Sequence, residues 1–341
     1  MFKKYFFRKK NRNKKIISNG DTTFYQFDSQ IGFWGVPNIE KNVIFEQMPD
    51  VPINVKHNSD GNRDENITLN SYEKTIICIG GSHTWGGGVI QENRYTNRLA
   101  RSLNRTVINM GHCSLGLDQA ILSIIQKSKK YNPEIIVIEQ YPWAVHRVLN
   151  NYVNGYVRPY FTIDNKDKLQ LHKLSKFAKI PFFRSIIGNY FSFRKEFNEF
   201  RGGINLKNSS NNFVDPMFAC WKARHYDYMY DIIDKLLIVI KDHCVRNKIK
   251  LFFSLGAIQQ QFYKQSNSNL VDYTLPRERF IELLVKNRIN YVDMTESMLA
   301  AHSLSEPVIY DDGHINAKGH EIFAKILHQE LIKLKWLSYG K

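Results

Sequence analysis

Lys74-Thr75-Ile76-Ile77-Cys78-Ile79-Gly80-Gly81-Ser82-His83-Thr84-Trp85-Gly86-Gly87-Gly88 decides how this chain is read. Residues 75–79 are an apolar run with no polar alternation, as in a strand buried on both faces, and glycines end it abruptly. Reading outward, residues 91–103 have a helical pattern and Thr106–Met110 a short strand. Residues 117–130 form an amphipathic helix that ends in cations and is broken at Asn132-Pro133. Glu134–Gln140 is a third apolar strand, Lys250–Gly256 a fourth and Ile289–Met294 a fifth. Helices are predicted over 222–247, 276–287 and 316–335. Strands alternating with helices imply a parallel sheet covered on both faces. In such sheets ligands gather at the carboxyl ends of the strands, so the residues after each apolar run come first in a search for chemistry.

The glycine-rich segment admits several readings. A phosphate-binding loop needs Gly-Lys-Ser/Thr, and no lysine is present. A dinucleotide fingerprint needs an acid at the end of the second strand, which instead closes Ile108-Asn109-Met110. A G-x-S-x-G elbow fails because Thr84 stands where the last glycine belongs. Two readings remain: a tight turn that needs only flexible glycines, or a serine presented on a strand-to-helix turn with its backbone N–H facing an oxyanion. The far end of the chain favours the second. There Tyr310-Asp311-Asp312-Gly313-His314-Ile315-Asn316 places an acid three residues before a histidine, ahead of the last helix. A serine hydroxyl is a poor nucleophile until an imidazole removes its proton, and a carboxylate holds that imidazole in the useful tautomer.

These stretches, in this order, resemble the SGNH/GDSL hydrolase family. GGSHTWGGGV resembles the first block, NMGHCSLG the second and DDGHINAKGH the last; DSQIGFWGVPN and NSDGNRDE resemble the segment that precedes the first block. The likeness covers roughly 27–145 and 222–335. It implies a three-layer α/β/α, flavodoxin-like fold with a five-stranded parallel sheet and a helical insertion after the third strand. It also implies Ser82 as nucleophile, His314 as base, Asp311 as its acid, and the Ser82 and Gly111 backbone N–H groups as oxyanion donors. The implied activity is that of a serine esterase or deacylase forming an acyl-enzyme on a short acyl ester, acetyl included, of a small molecule or carbohydrate. No cofactor or metal is called for. Two departures stand out. Gly81 replaces the aspartate of the usual Gly-Asp-Ser, and Tyr141-Pro142-Trp143 stands where the third block supplies an asparagine donor. The indole N–H of Trp143 is the substitute the sequence offers. An O-acyltransferase acting on a sugar with the same triad, and a catalytically weak surface- or membrane-binding module, stay open as alternatives.

The net charge of +16 is concentrated. Residues 1–15 hold eight Lys/Arg and no acid, and residues 147–207 hold twelve Lys/Arg against four acids. Residues 1–20 read as a basic tail, either solvated or, through residues 1–15, in peripheral contact with an anionic membrane. Residues 21–72 read as a loop-rich lead-in that drapes over the core without forming one, and 73–341 as the hydrolase domain. The basic, aromatic insertion at 144–220 is expected to be built from short helices. Its Tyr152, Tyr156, Tyr160, Phe161, Phe177, Phe182 and Phe183 suit a lid or a small core of their own. No nucleic-acid-binding signature is present. No secretory signal or apolar run of about 18 residues is seen, so a cytoplasmic location is expected. Cys78, Cys113, Cys220 and Cys244 lack metal or disulfide spacing and read as free thiols. His83, His112 and His146 lie near strand ends without metal-ligand spacing, so no metal is expected. His83, Tyr141 and Arg147 are substrate-binding candidates, Arg147 as a clamp for an anionic group or as a surface salt bridge. Oligomeric state is not legible.

Overall fold

The computed structural model describes residues 16–17, 22–69, 73–153, 155–182, 204–205, 213–214, 227–263, 272–303 and 305–337. Most of the tail, with Cys220 and Phe183, lies outside them. Five parallel strands form the central sheet: β1 (Thr75–Ile79), β2 (Val107–Asn109), β3 (Pro133–Gln140), β4 (Lys250–Leu255) and β5 (Asn290–Asp293). Their spatial order is β5-β4-β3-β1-β2, and Ile79 pairs with Ile138 and Leu255 with Gln140. This is the flavodoxin-like doubly wound order, whose switch point lies between β1 and β3.

Alternate residues of β1 feed two cores. Ile77 and Ile79 face the side covered by α3 (Leu117–Lys127), α4 (Asp227–Arg246) and, after the single turn α5 (Gln259–Phe262), α6 (Leu275–Lys286). Ile76 and Cys78 face α2 (Tyr95–Leu103), α7 (Thr295–Ala301) and α8 (Ala317–Lys333). The fold is therefore a three-layer α/β/α sandwich. Cys78, Cys113 and Cys244 are buried free thiols. Among the described residues no helix is long and apolar enough to cross a membrane.

The lead-in differs from expectation. It makes an antiparallel hairpin, Tyr25–Asp28 with Gly32–Gly35, and a three-stranded sheet in which Glu40–Phe45 pairs with Ile16–Ile17 and Pro52–Lys56. These elements close a cluster of their own, with Phe24, Tyr25, Phe33, Phe45, Ile53 and Val55 packed on Trp85 and Cys113. The many Asn, Asp and Gly residues occupy its turns, and the apolar residues between them still fill one interior.

The insertion differs too. Its described part is mainly strand: Tyr152–Val153 pairs with Tyr156–Val157, and Tyr160–Ile163 with Leu169–His172, both antiparallel. Gly155, at φ +82°, and Asp164–Lys168 lie at the turns, and the aromatic and β-branched residues between them favour strand. Among the described residues the helical pieces are the 3-10 segments Pro142–Leu149 and Lys176–Lys179, with Pro181 and Phe182 also helical. Tyr156 joins the lead-in cluster and Phe161 the main core, while Phe177 and Phe182 are exposed.

Candidate active site

Ser82 follows β1 directly, as the first residue of the single-turn helix α1 (Ser82–Trp85). The first N–H groups of a helix have no partner within it, so the Ser82 N–H points outward at the head of the turn. Gly80 sits at the tightest approach. A Cβ there would lie 2.5 Å from both Glu139 Oε2 and Thr84 Oγ1. Glu139, near the end of β3, accepts hydrogen bonds from the Gly81 N–H at 3.2 Å and the Thr84 hydroxyl at 3.3 Å. Burial pushes the Glu139 carboxyl up, against those two bonds, which favour the anion.

The lead-in holds the other end of the turn. Arg63, fully buried, donates to the carbonyls of Trp85 (3.3 Å), Gly86 and Val89 (2.8 Å), at and just beyond the end of the short helix. Burial, and then neighbouring Arg94, bring its guanidinium down to about 9. Arg94 in turn donates to the Arg63 carbonyl and pairs with Asp64 at 3.3 Å.

His314 enters from the loop before α8. Its Nε2 lies 2.7 Å from Ser82 Oγ, and its Nδ1 lies 2.9 Å from Asp312 Oδ2. The acid in contact is therefore Asp312, two residues before the histidine, and not Asp311, the residue expected from the D-x-x-H spacing. Tyr310–Gly313 is a β-turn closed by a bond from the Gly313 N–H to the Tyr310 carbonyl at 2.9 Å. Gly313 has φ +88°, a conformation that suits glycine. The turn folds Asp312 back on His314, so that its Oδ1 also accepts the His314 N–H at 3.1 Å. The Asp311 carbonyl instead accepts from Gln259 Nε2. Burial raises Asp312, but the bonds and charge of His314, with Gln47 from the lead-in, outweigh it and bring the carboxyl down to about 2.

A cavity of about 330 Å³ opens over Ser82 and His314. Leu115, Leu117, Ala120 and Ile138 form an apolar wall, while Gln140, Gln259 and Gln260 supply amides. The expected candidates His83, Tyr141, Trp143 and Arg147 all line it. The His83 ring stands 4.7 Å from that of Tyr141 and 5.1 Å from that of His314. Burial first, and then the charge of His314, hold the His83 imidazole well below the usual histidine range, so it stays neutral beside the base. Trp143 packs edge-on against His146, with the Arg147 guanidinium 5.8 Å from its ring.

Gly111 does not take its expected place. Its N–H donates to Asn109 Oδ1 at 2.9 Å, and Gly111 is not part of the cavity wall. The second-block glycine that reaches the cavity is Gly116, at the head of α3. Sequence reasoning also missed Glu139 and Gln140, although a polar pair closing a buried strand at its carboxyl end was the available signal. His112 lies in the core against Trp34, ring centroids 3.8 Å apart, and the His146 Nδ1–H donates to the Trp143 carbonyl at 2.6 Å. Among the described residues no three His, Cys, Asp or Glu side chains are grouped to hold a metal.

No protein-family model matches the sequence, and no curated protein matches it either. Solved structures do show similarity. An acetyl xylan esterase has a TM-score of 0.43 at 13% identity, covering 75% of this chain and 99% of that one. A lipase/acylhydrolase from Enterococcus faecalis has a TM-score of 0.42 at 9% identity, covering 76% and 96%. A member of the lipolytic G-D-S-L family from Veillonella parvula has a TM-score of 0.40 at 13% identity, covering 76% and 97%. Likeness at this level says nothing about the reaction, whose case rests on the contacts among Ser82, His314 and Asp312.

Proposed function

We propose that this chain is a serine esterase that forms an acyl-enzyme on Ser82, with His314 as general base and Asp312 as the acid that orients it. The observation that supports this reading is the relay from Ser82 Oγ to His314 Nε2 at 2.7 Å and from Nδ1 to Asp312 at 2.9 Å. A carboxylate at Nδ1 fixes the proton there and leaves the Nε2 lone pair facing the serine. Ser82 Oγ attacks the ester carbonyl as His314 takes its proton. The tetrahedral intermediate then collapses, and the leaving alcohol departs with the proton from His314. Water repeats the sequence on the acyl-enzyme, releasing the acid and restoring Ser82.

Esters of carbohydrates suit the cavity. Sugar hydroxyls both donate and accept, and Gln140, Gln259 and Gln260 offer both functions, with Tyr141 and Trp143 lining the same cavity. A short acyl group meets the apolar wall. The same triad serves an O-acyltransferase when a sugar hydroxyl replaces water. A membrane-binding role through residues 1–15 concerns residues outside those described. The test is hydrolysis of a nitrophenyl acetate and of acetylated oligosaccharides by the parent and by Ser82→Ala. The reading expects turnover by the parent alone. Turnover that survives Ser82→Ala would remove it, and an acyl-enzyme stable until sugar is added would select the transferase.

A further inference from the structure

Two of the three oxyanion donors that the resembling family would supply are not in place. The third-block asparagine is replaced, and the Gly111 N–H is occupied by Asn109 Oδ1 at 2.9 Å. A tetrahedral intermediate with a single donor at Ser82 would lack much of its stabilisation, since removing one such donor elsewhere costs about 10²–10³-fold in rate.

We infer that the Arg147 guanidinium supplies the missing donor. This rests on the acyl-enzyme reading above. Arg147 comes from the 3-10 segment that follows β3, on the side of the switch point opposite the nucleophile turn. It lines the cavity together with that turn. A Cβ placed on Gly81 would lie 3.3 Å from Arg147 Nη1, and one on Gly116 would lie 3.1 Å from Arg147 Cβ. The guanidinium is thus wedged between the residue before the nucleophile and the second-block loop, and both segments line the cavity with Ser82.

The carbonyl carbon under attack must bond to Ser82 Oγ, which confines its oxygen to the neighbourhood of the Ser82 N–H. An oxygen about 2.9 Å from each of two donors can bridge groups up to roughly 6 Å apart. Arg147 Nη1 stands 3.3 Å from where a Cβ on Gly81 would lie, and the carbonyl carbon of Gly81 is bonded to the Ser82 nitrogen, so we place one shared oxygen between the two donors. Nη1 has two hydrogens and donates one to the Leu115 carbonyl at 3.1 Å, a bond that fixes the fork against the second-block loop. A guanidinium is a cation at neutral pH, so this donor offers positive charge where the oxyanion forms.

Gly81 then has a reason. Any side chain there, including the aspartate of the resembling family, would crowd or pair with the guanidinium and take it from the oxyanion. Arg147 acts as a catalytic residue on this account, because it touches the reacting oxygen.

The experiment compares the parent with Arg147→Lys and Arg147→Gln on a neutral nitrophenyl ester, with thermal melting as the check on folding. A trifluoromethyl ketone, which forms a charged tetrahedral adduct on the serine, serves as the transition-state probe, and a neutral amide of the same shape as the ground-state probe. The expected result for Arg147→Gln is a fall in kcat of about 10²–10³-fold with KM little changed, and a matching loss of ketone affinity. Amide binding is retained, and Arg147→Lys recovers part of the rate. Equal losses for ketone and amide would assign Arg147 to shaping the cavity and overturn the inference. So would an unchanged rate on the neutral ester with a raised KM for a carboxylate-bearing ester, which would make Arg147 a clamp for anionic substrates. Failure of the underlying reading shows separately, as a parent that hydrolyses no ester and binds no ketone at Ser82.

Discussion

A carboxylate two positions before a histidine reaches its Nδ1 only where the chain turns tightly, and Gly313 at φ +88° makes that turn. Asp312→Asn should therefore lower kcat by about 10⁴-fold, as the imidazole loses its tautomer and the charge facing its cationic form. Asp311→Asn should leave kcat unchanged, and steady-state hydrolysis of one ester by both variants checks the assignment. The reverse pattern would return the role to Asp311. Gly80→Ala makes a second test. Its Cβ would meet Glu139 Oε2 and Thr84 Oγ1 at 2.5 Å, so the bonds that hold the Gly81 N–H must break. The expected outcome is a folded protein whose kcat falls at least tenfold, read by turnover beside a circular-dichroism spectrum. Ser82 and His314 were legible because their chemistry goes with a recognisable setting, a glycine turn after a buried strand and a loop before a helix. Asp312 was not, because spacing alone cannot say which of two adjacent acids a turn folds inward. Gly111 misled for a similar reason: the residue type was right for a donor, but its N–H went to Asn109.

At the scale of elements, α1 is one turn long and cannot hold itself in place. Arg63 supplies what the turn lacks, by bonding three carbonyls at its end. Arg63→Met should leave buried carbonyls unpaired and cost about 3 kcal/mol or more of stability, with a slower Ser82 in whatever remains folded. Denaturant melts and acylation rates measured together test this. A variant as stable as the parent, with the same acylation rate, would show that the lead-in does not support the turn. The sheet strands were readable because parallel strands buried on both faces leave long apolar runs. The hairpins at Tyr152–Val157 and Tyr160–His172 were not, since basic and aromatic residues hid a period-two pattern only two to four residues long. The lead-in core was missed because its apolar residues come in short groups, joined only by contacts distant in sequence.

For the whole molecule, buried imidazoles link stability to pH. Burial, then the charges of His112 and Arg63, lower His57 to about 3, and burial lowers His112 to about 4, against an ordinary value of 6.5. Below pH 6.5 the unfolded chain protonates both groups while the fold keeps them neutral, so the unfolded state binds more protons. Stability should fall as pH drops from 6.5 toward 4, with His112 alone accounting for roughly 3 kcal/mol, and this contribution should level off below about 3. Denaturant midpoints at pH 7, 5.5 and 4 measure the slope, and a flat profile would contradict the neutral burial of these rings. The central claim, an activated Ser82, is tested most directly by intact-protein mass spectrometry after exposure to a fluorophosphonate. The expected result is a single adduct that maps to Ser82 and is absent in Ser82→Ala. A folded parent that gains no adduct, or gains one elsewhere, would contradict it.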